Sequence, residues 1–382
     1  MILASIPSPT TAVWDVGPIP VRAYALFIVL GIVIACVVTE SRLRARGVQK
    51  FAVLDLAVWA VPFGIVGARL YHVATSPDQF FGATGNPADI VRIWQGGLGI
   101  WGAIAGGAVG VWLACRQLKL PFVVVADAAA VGIPLAQAVG RLGNWFNNEL
   151  YGSETTLPWG LRVYPMQDGR ALVDPVTGEP TPFDALYHPT FLYEALWCVG
   201  VALLVLFVGK QLRLGRGRQF ALYVAGYTAG RVWIEMLRID GTDAVPIPDA
   251  QNTIIILGQR VNVWVAVLVF LAALAYLVSV RGPQEYVLPV LDESGEASGY
   301  RVVSEQDFQA AQAGGGDEAG SGPAEAAAGS EAASSGEQEP ADEASTEVDA
   351  AAGDADADSD EPAASERSTS SPGGPAASRD ER

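Results

Sequence analysis

The chain is poor in the side chains that bind metals and form disulfides. Its 382 residues include three cysteines and two histidines. Cys36, Cys115 and Cys198 each lie in an apolar run, and His72 and His188 are far apart. Buried cysteines usually act as small apolar side chains, and zinc sites and disulfide frameworks need a denser pattern. The sequence therefore predicts neither a metal site nor a disulfide framework, and we expect no cofactor.

Acidic side chains are also scarce, except near the end of the chain. The net charge is −17, yet residues 291–382 alone contain 23 acidic and 4 basic side chains. Residues 1–290 contain 18 acidic and 20 basic side chains and are strongly apolar. A positive mean hydropathy despite that acidic end is typical of a polytopic membrane protein. We expect a lipid bilayer around this body and no nucleic-acid partner.

The end of the chain has the composition of a disordered segment. Residues 286–382 are rich in Ala, Gly, Ser, Glu and Asp and contain few aromatic residues. Such a segment cannot bury enough apolar area to offset the entropy lost on ordering. The sequence predicts a disordered acidic cytoplasmic tail over 286–382, and we expect truncation near residue 290 to preserve activity.

Long apolar runs dominate the rest of the chain. About 20 apolar residues span a bilayer as a helix. Seven runs reach this length, at residues 20–39, 53–74, 97–115, 121–141, 189–208, 219–237 and 261–280. The sequence therefore predicts an all-α polytopic membrane protein with seven transmembrane helices. Its domains are an extracytoplasmic segment 1–19, a transmembrane domain 20–285 with an outer loop 142–188, and the tail.

The basic residues predict the orientation of the helices. Cytoplasmic loops of membrane proteins are enriched in Lys and Arg. One set of loops carries 11 such residues and the other set carries 5. The N-terminus is therefore expected outside and the C-terminus in the cytoplasm. The basic set consists of Arg42, Arg44, Arg46, Lys50, Arg116, Lys119, Lys210, Arg213, Arg216, Arg218 and Arg281.

The segment Gly140–Gly152 gathers polar residues where the fourth predicted span leaves the membrane. Ionisable groups at membrane depth mark functional sites. Its glycines and asparagines suit a tightly turning backbone that can present N–H groups to an anion. Arg141 offers a planar fork of donors that fits a phosphate. The segment predicts a site for a phosphorylated lipid, with further polar residues at Asn144, Asn147, Asn148 and Glu149.

The sixth predicted span carries a polar stripe of Tyr227, Arg231, Glu235 and Arg238. Spacings of three and four residues place these side chains on one helix face. Two interpretations stay open: a structural Arg231–Glu235 ion pair, or a functional site in which that pair orients Arg231. Together with Arg141, Arg231 could clamp a phosphodiester and stabilise charge on a departing phosphate.

Tyr24 lies at the same outer level, just inside the first predicted span. An aromatic residue there can serve as an interfacial anchor or as part of the site. Both interpretations stay open.

These motifs together resemble the prolipoprotein diacylglyceryl transferases of bacteria, from about Ile6 to Arg281. Gly140–Gly152 is similar to the family signature Gly-Arg-x-Gly-Asn-aromatic-x-Asn-x-Glu-x-x-Gly. Supporting motifs are Gly17–Tyr24, Gly67–Arg69, His188–Glu194 and Arg231–Arg238. The resemblance implies a multi-pass enzyme of the bacterial plasma membrane. It would transfer the diacylglyceryl group of phosphatidylglycerol to the lipobox cysteine of a preprolipoprotein and release glycerol-1-phosphate.

The resemblance also implies roles for individual residues. Arg141 and Arg231 would hold the phosphoglycerol head group. The catalytic set would be Arg141, Arg231, Glu149 and Tyr24. The set that binds phosphatidylglycerol would be Arg141, Asn144, Asn147, Gly152, Tyr227, Arg231 and Glu235.

One position departs from the family pattern. Many members carry a histidine in a His-Gly-Gly run, often regarded as the base for the thiol, where this chain has Trp101. An indole nitrogen only donates hydrogen bonds, so Trp101 cannot be a base. The proton must go to another group or to water, or the arginine field must favour the thiolate.

A different class of protein is the main alternative. A transporter or channel for an anionic solute would also use arginines in the membrane. This alternative predicts a polar path to both faces of the membrane. The ionic residues here concentrate at the outer side, and the inner positions contain mainly Asp55 and Asp127.

Overall fold

Long helices form the framework of the protein. A computed structural model describes residues 5–81, 85–93, 96–238, 255–256, 259–291 and 297–314. Its helices are α1 (Ala23–Arg44), α2 (Ala52–Thr75), α3 (Asp78–Phe81), α4 (Ile100–Gln117), α5 (Phe122–Asn147), α6 (Thr190–Gln211), α7 (Arg218–Leu237), α8 (Val261–Ser279) and α9 (Glu305–Gly314).

The strands are short and lie outside the long helices. They are β1 (Ile6–Pro7), β2 (Val13–Val16), β3 (Ile19–Arg22), β4 (Leu161–Arg162), β5 (Met166–Gln167), β6 (Arg170–Ala171), β7 (Leu186–Tyr187), β8 (Ile255–Ile256), β9 (Gln259–Arg260), β10 (Tyr286–Leu291) and β11 (Ala297–Val303).

A long helix lies at each of the seven predicted spans, with bounds that differ by a few residues. Five of them, in the described part of the chain, are long and apolar enough to cross a membrane: α1, α2, α5, α6 and α8. Helix α7 is less apolar because it carries the polar stripe, and α4 is short and ends on Arg116 and Gln117. The helices identify a membrane protein, and seven crossings remain a prediction.

Helices α2 and α4 form a tightly packed pair. A Cβ placed on Gly67 would lie 2.9 Å from the Cα of Gly106, so the two backbones are in contact there. Small residues at a helix crossing allow this approach and let dispersion forces act between the backbones. Replacing Gly67 by any larger residue would force the pair apart.

Helix α5 lies at the centre of the remaining helices. It packs against α1, where Gly31 faces the carbonyl of Ala136, and it also contacts α6 and α7. In the most apolar 18-residue stretch of each helix, half of the residues of α5 are buried, against 17% for α1 and for α8. Helix α5 therefore sets the positions of its neighbours, while α1 and α8 expose apolar faces that suit lipid.

The long helices share two ends, which we call the site end and the opposite end. Helices α1, α4, α6 and α8 begin at the site end, and α2, α5 and α7 finish there. A small β structure covers the site end: β1 pairs in parallel with β4, and β4 pairs antiparallel with β7. The predicted outer segment and outer loop thus fold together instead of forming separate pieces.

The opposite end is held together by buried polar groups. Asp127 on α5 accepts hydrogen bonds of 3.0 Å from the backbone N–H groups of Gly217 and Phe220, at the first turn of α7. Arg42 donates to Gln219 at 2.5 Å and to the carbonyl of Ala128 at 3.0 Å. The carboxylate satisfies N–H groups that a helix start leaves unpaired. Asp127 therefore has a structural role and stabilises the start of α7.

The predicted start of the disordered tail is wrong. Strands β10 and β11 form an antiparallel hairpin, and α9 follows it. Val287 is fully buried in the apolar core of the opposite end, and its N–H donates to the carbonyl of Arg46 at 2.8 Å. Phe308 of α9 stacks on Tyr286, with ring centroids 4.8 Å apart. The prediction for residues 315–382 lies outside the described residues.

The reason for that error is local. The segment of β10 contains four large apolar residues: Tyr286, Val287, Leu288 and Val290. This density is enough to form a strand with one buried face. An average over the whole acidic end conceals this short run. The folded domain therefore continues beyond the predicted boundary, and we call residues 286–291 and 297–314 the terminal hairpin unit.

Candidate active site

Two arginines from different helices converge on one buried carboxylate at the site end. Glu194 on α6 accepts from Arg141 on α5, with 2.6 Å between Nη2 and Oε1. It also pairs with Arg231 on α7, whose Nη1 lies 3.2 Å from Oε1 and 3.4 Å from Oε2. The Glu194 side chain is 4% exposed, whereas Arg141 and Arg231 are 22% and 18% exposed. The predicted convergence of the two arginines is therefore present, and both keep a face open to solvent.

A second carboxylate extends the cluster along α7. Glu235 pairs with Arg231, one turn earlier on the same helix, and with Arg238, whose Nη1 lies 2.9 Å from Oε2. Asn262 at the start of α8 donates to Glu235 at 3.3 Å. The stripe predicted on this helix is thus a continuous network that joins α6, α7 and α8. The contacts show the ion pair of the structural interpretation, and the functional interpretation of Arg231 and Glu235 stays a proposal.

The signature segment does not turn where the sequence suggested. Helix α5 continues through Gly140–Asn147. Most backbone N–H groups of this segment are therefore hydrogen-bonded within the helix and are not available to an anion. The chain leaves the helix at Asn148, which has a φ of 53°. The long apolar and aromatic side chains of this segment pack against neighbouring elements and favour the helix. The tightly turning backbone expected over Gly140–Gly152 is therefore absent from Gly140–Asn147 and begins only at Asn148.

Two of the three asparagines of the signature, Asn144 and Asn147, donate to Glu149, whereas Asn148 donates to the carbonyl of Pro9. Glu149 accepts from Asn144 Nδ2 at 2.8 Å and from Asn147 Nδ2 at 3.1 Å. The Nη1 of Arg141 lies 3.5 Å from the Oδ1 of Asn144, which is at the upper limit of the distance for a hydrogen bond. Glu149 therefore fixes the orientation of Asn144, which in turn contacts Arg141.

Gly152 lies where two backbone segments and a helix start meet. Its N–H donates to the carbonyl of His188 at 2.9 Å, and it forms a bridge with Arg238. A Cβ at this position would lie 2.7 Å from the Cβ of His188 and 3.1 Å from the Cγ2 of Thr190. The structure thus explains this glycine by close packing of the backbone, beside the arginine cluster.

The two tyrosines predicted for the site lie at its edges. Tyr24, at the start of α1, is 39% exposed, and its ring lies against Gly143 of α5. Tyr227 precedes Arg231 by one turn of α7 and packs against Tyr223, with centroids 6.1 Å apart. Tyr24 is therefore next to the signature segment, and Tyr227 lies deeper on the face that carries Arg231.

The loop over the site is fastened by aromatic residues. His188 Nδ1 and Tyr193 Oη lie 3.2 Å apart, and Trp159 Nε1 donates to the same hydroxyl at 3.0 Å. Burial raises the pKa of Tyr151 and of Tyr187, so both remain neutral phenols near neutral pH. These residues support the cover of the site by packing, and not by carrying charge.

Glu194 is the residue that the sequence did not assign. It follows Tyr193 in the motif His188–Glu194, but nothing in the local pattern shows that it faces two arginines on other helices. One signal was available: a carboxylate one turn inside an apolar helix needs a cation to remain in the membrane.

In the part of the chain that the structure describes, no group of three or more His, Cys, Asp or Glu side chains could hold a metal ion.

The fold and the site define a class of protein. It is a helical membrane protein with a partly exposed arginine pair on a buried carboxylate at one end of its helices, and such a pair suits an anionic group such as a phosphate.

Comparison with known proteins gives the family. Residues 11–279 match the sequence model of the prolipoprotein diacylglyceryl transferases. A relative from Frankia alni is 54% identical over 74% of this chain and 69% of its own length. Relatives from Rhodococcus jostii and Streptomyces griseus are 52% and 50% identical, over 72% and 76% of this chain and 74% and 84% of theirs. All three are named phosphatidylglycerol–prolipoprotein diacylglyceryl transferase. The chain belongs to the prolipoprotein diacylglyceryl transferase family, which confirms the predicted resemblance.

Proposed function

We propose that this protein transfers the diacylglyceryl group of phosphatidylglycerol to the lipobox cysteine of a preprolipoprotein. The cysteine sulfur forms a bond to the glyceryl carbon, and the bond from that carbon to the phosphate oxygen breaks. The electron pair leaves with glycerol-1-phosphate, and the thiol proton is finally carried by that phosphate or by water. The observation that carries the proposal is the convergence of Arg141 and Arg231 on one buried carboxylate.

The arginine pair supplies both binding and catalysis in this proposal. Arg141 and Arg231 hold the phosphodiester through their solvent-facing donors, and they stabilise the charge that builds up as the phosphate leaves. A preorganised cation at a developing charge is often the largest catalytic term. The same field favours the thiolate of the incoming cysteine, which fits a chain that has Trp101 where many relatives have a histidine.

The remaining predicted residues support the pair. Glu149 orients the asparagines, Asn144 and Asn147, near the head group. Glu235 orients Arg231, and Tyr24 and Tyr227 line the two edges of the site. Gly152 keeps the covering loop close to α7.

The membrane arrangement is part of the proposal. Seven helices cross the bacterial plasma membrane, with the site end and the N-terminal segment outside and the terminal hairpin unit in the cytoplasm. The distribution of Lys and Arg among the loops supports this orientation. A lipobox cysteine that has been exported would then meet the site from the outer side.

The transporter alternative has no specific observation in its favour. At the opposite end, Arg42 is bound to Gln219 and to the carbonyl of Ala128, and Asp127 is bound to the N–H groups of Gly217 and Phe220. Contacts of this kind suit a structural role and not a path for an ion.

The test uses purified protein, phosphatidylglycerol and a synthetic lipobox peptide, with the peptide mass as readout. Wild-type protein should add one diacylglyceryl group to the peptide cysteine and release glycerol-1-phosphate. Arg141→Ala should abolish transfer. Arg170→Ala is the matched control, because Arg170 is an exposed arginine of the same end that pairs with Asp15. An unmodified peptide with folded wild-type protein would refute the proposed transfer.

A further inference from the structure

The arginine pair contains its own counterion. Among the described residues, Glu194 is the carboxylate that contacts both Arg141 and Arg231, at 2.6 Å and 3.2 Å. Its side chain is 4% exposed, so water screens these contacts only slightly. Electrostatic interactions are several times stronger in such a place than in bulk water.

This carboxylate determines the charge that an incoming anion meets. Two guanidinium groups carry +2, and Glu194 lowers the sum for the three groups to +1. Glu235 is shared between Arg231 and Arg238 and therefore does not act on Arg141 in the same way. Removing the charge of Glu194 would double the net charge of the three groups without removing either arginine.

The proposed substrate and product differ in charge. A phosphodiester, such as the head group of phosphatidylglycerol, carries one negative charge. A phosphomonoester loses a second proton with a pKa of about 6 and carries up to two. A site of charge +1 is neutralised by the diester, whereas the dianionic monoester would leave an uncompensated negative charge.

We propose that Glu194 is a positioning residue that sets the charge of the arginine pair to suit a monoanionic phosphodiester and to release a dianionic phosphomonoester. This inference rests on the proposed function. Glu194 also holds the two guanidinium groups in place before the lipid arrives. Its negative charge beside the arginine pair opposes the second negative charge of the product, and it therefore limits how tightly the product can remain.

The experiment measures binding by calorimetry on the full-length protein in detergent. Two soluble probes are used at about pH 8, well above the second phosphate pKa of about 6. One probe is glycerol-1-phosphate, a dianion, and the other is glycerophosphoglycerol, a monoanionic diester. Wild-type protein should bind the diester at least as tightly as the dianion.

The variant Glu194→Gln keeps the shape and one acceptor oxygen but removes the charge. It should bind glycerol-1-phosphate about tenfold more tightly than wild type, because one opposing charge next to the phosphate is gone. It should also reverse the preference between the probes. Asp15→Asn is the matched control, since it removes one acidic charge at the same end from a side chain that is 58% exposed. Its affinities should equal those of wild type.

Each outcome decides the inference. Unchanged or weaker glycerol-1-phosphate binding by folded Glu194→Gln would overturn it, as would a wild-type preference for the dianion. If Glu194→Gln does not fold, Glu194→Asp keeps the charge and should keep the wild-type preference, whereas a purely structural glutamate predicts loss of both affinities. Failure of the proposed function is distinguishable, because it appears as absent peptide modification while the two probes still bind as described.

Discussion

Buried or half-buried arginines lie at both ends of the helices, but they use their donors in different ways. At the opposite end, Arg42 donates to Gln219 and to the carbonyl of Ala128, and Arg46 donates to the carbonyl of Val124 at 3.0 Å. At the site end, Arg141 and Arg231 pair with Glu194. Backbone carbonyls are fixed acceptors that a ligand cannot replace, whereas a carboxylate side chain can give up a contact to another anion.

Arg69 resembles the arginines of the opposite end in its acceptors. It lies near the site end, yet it donates to the carbonyls of Ile90, Gly96 and Gly97 at 2.8 to 2.9 Å. It therefore holds the segment between α2 and α4 in place. From this comparison we propose that the acceptors of an arginine, more than its depth, separate structural from functional roles in this protein.

The largest expected effect comes from removing an arginine of the site end. Arg231→Ala should lower diacylglyceryl transfer by about 100-fold or more, the usual loss for a group that stabilises developing charge. The folded fraction, measured by size-exclusion chromatography in detergent, should change much less. A variant that transfers at more than half the wild-type rate would remove Arg231 from the mechanism.

The opposite end can be tested by truncation. A chain that stops after Gln284 loses the terminal hairpin unit, including buried Val287 and Phe308. Burial of one such side chain contributes about 1.5–3 kcal/mol, so the midpoint of thermal unfolding should fall strongly. A chain that stops after Gly314 keeps these contacts and should unfold like the full-length protein. Equal stability of the two truncated proteins would show that the hairpin unit is dispensable.

That prediction replaces the expectation of a harmless cut near residue 290. The expectation followed from composition, and composition describes an average. Strand formation depends instead on a few alternating apolar residues and on a surface that receives them. Val287 reaches such a surface beside Arg46, and this partner could not be identified without the fold.

Arg42→Ala should affect stability more than chemistry. It removes the donor that pairs with Oε1 of buried Gln219 and should cost about 1–3 kcal/mol of unfolding free energy. Transfer per folded molecule should remain near the wild-type value, because Arg42 lies at the opposite end. Loss of transfer in fully folded Arg42→Ala protein would break the division between the two ends.

The smallest expected effect is at Gly152. A methyl group there meets the Cβ of His188 at 2.7 Å, and such overpacking costs about 1–3 kcal/mol. Gly152→Ala should therefore lower the unfolding midpoint. Gly140→Ala is the matched control, since a Cβ at Gly140 has no atom within 4 Å among the described residues and alanine favours a helix. A midpoint that is lower for Gly140→Ala than for Gly152→Ala would contradict the packing at this loop.

Much of the helical framework could be predicted because long apolar runs have few other solutions in a bilayer. The polar stripe on α7 was also predictable, since helical spacing alone places Arg231 and Glu235 together. Contacts between helices were not. Glu194 meets Arg141 and Arg231 because α5, α6 and α7 converge, and the spacing within α6 contains no information about that.

The course of the signature segment was predicted incorrectly for a related reason. Glycine and asparagine favour turns when a chain is considered alone. Here the packing of α5 against its neighbours keeps Gly140–Asn147 helical and moves the exit to Asn148. Tertiary packing overrides this local preference, and the helix propensities of single residues do not describe that packing.

The most direct test compares one arginine from each end. Diacylglyceryl transfer to a lipobox peptide is measured per folded molecule for Arg141→Ala and Arg42→Ala, together with the unfolding midpoint of each. The account predicts that Arg141→Ala is inactive and nearly as stable as wild type, while Arg42→Ala is active and less stable. Wild-type transfer by Arg141→Ala, or inactivity of folded Arg42→Ala, would contradict it.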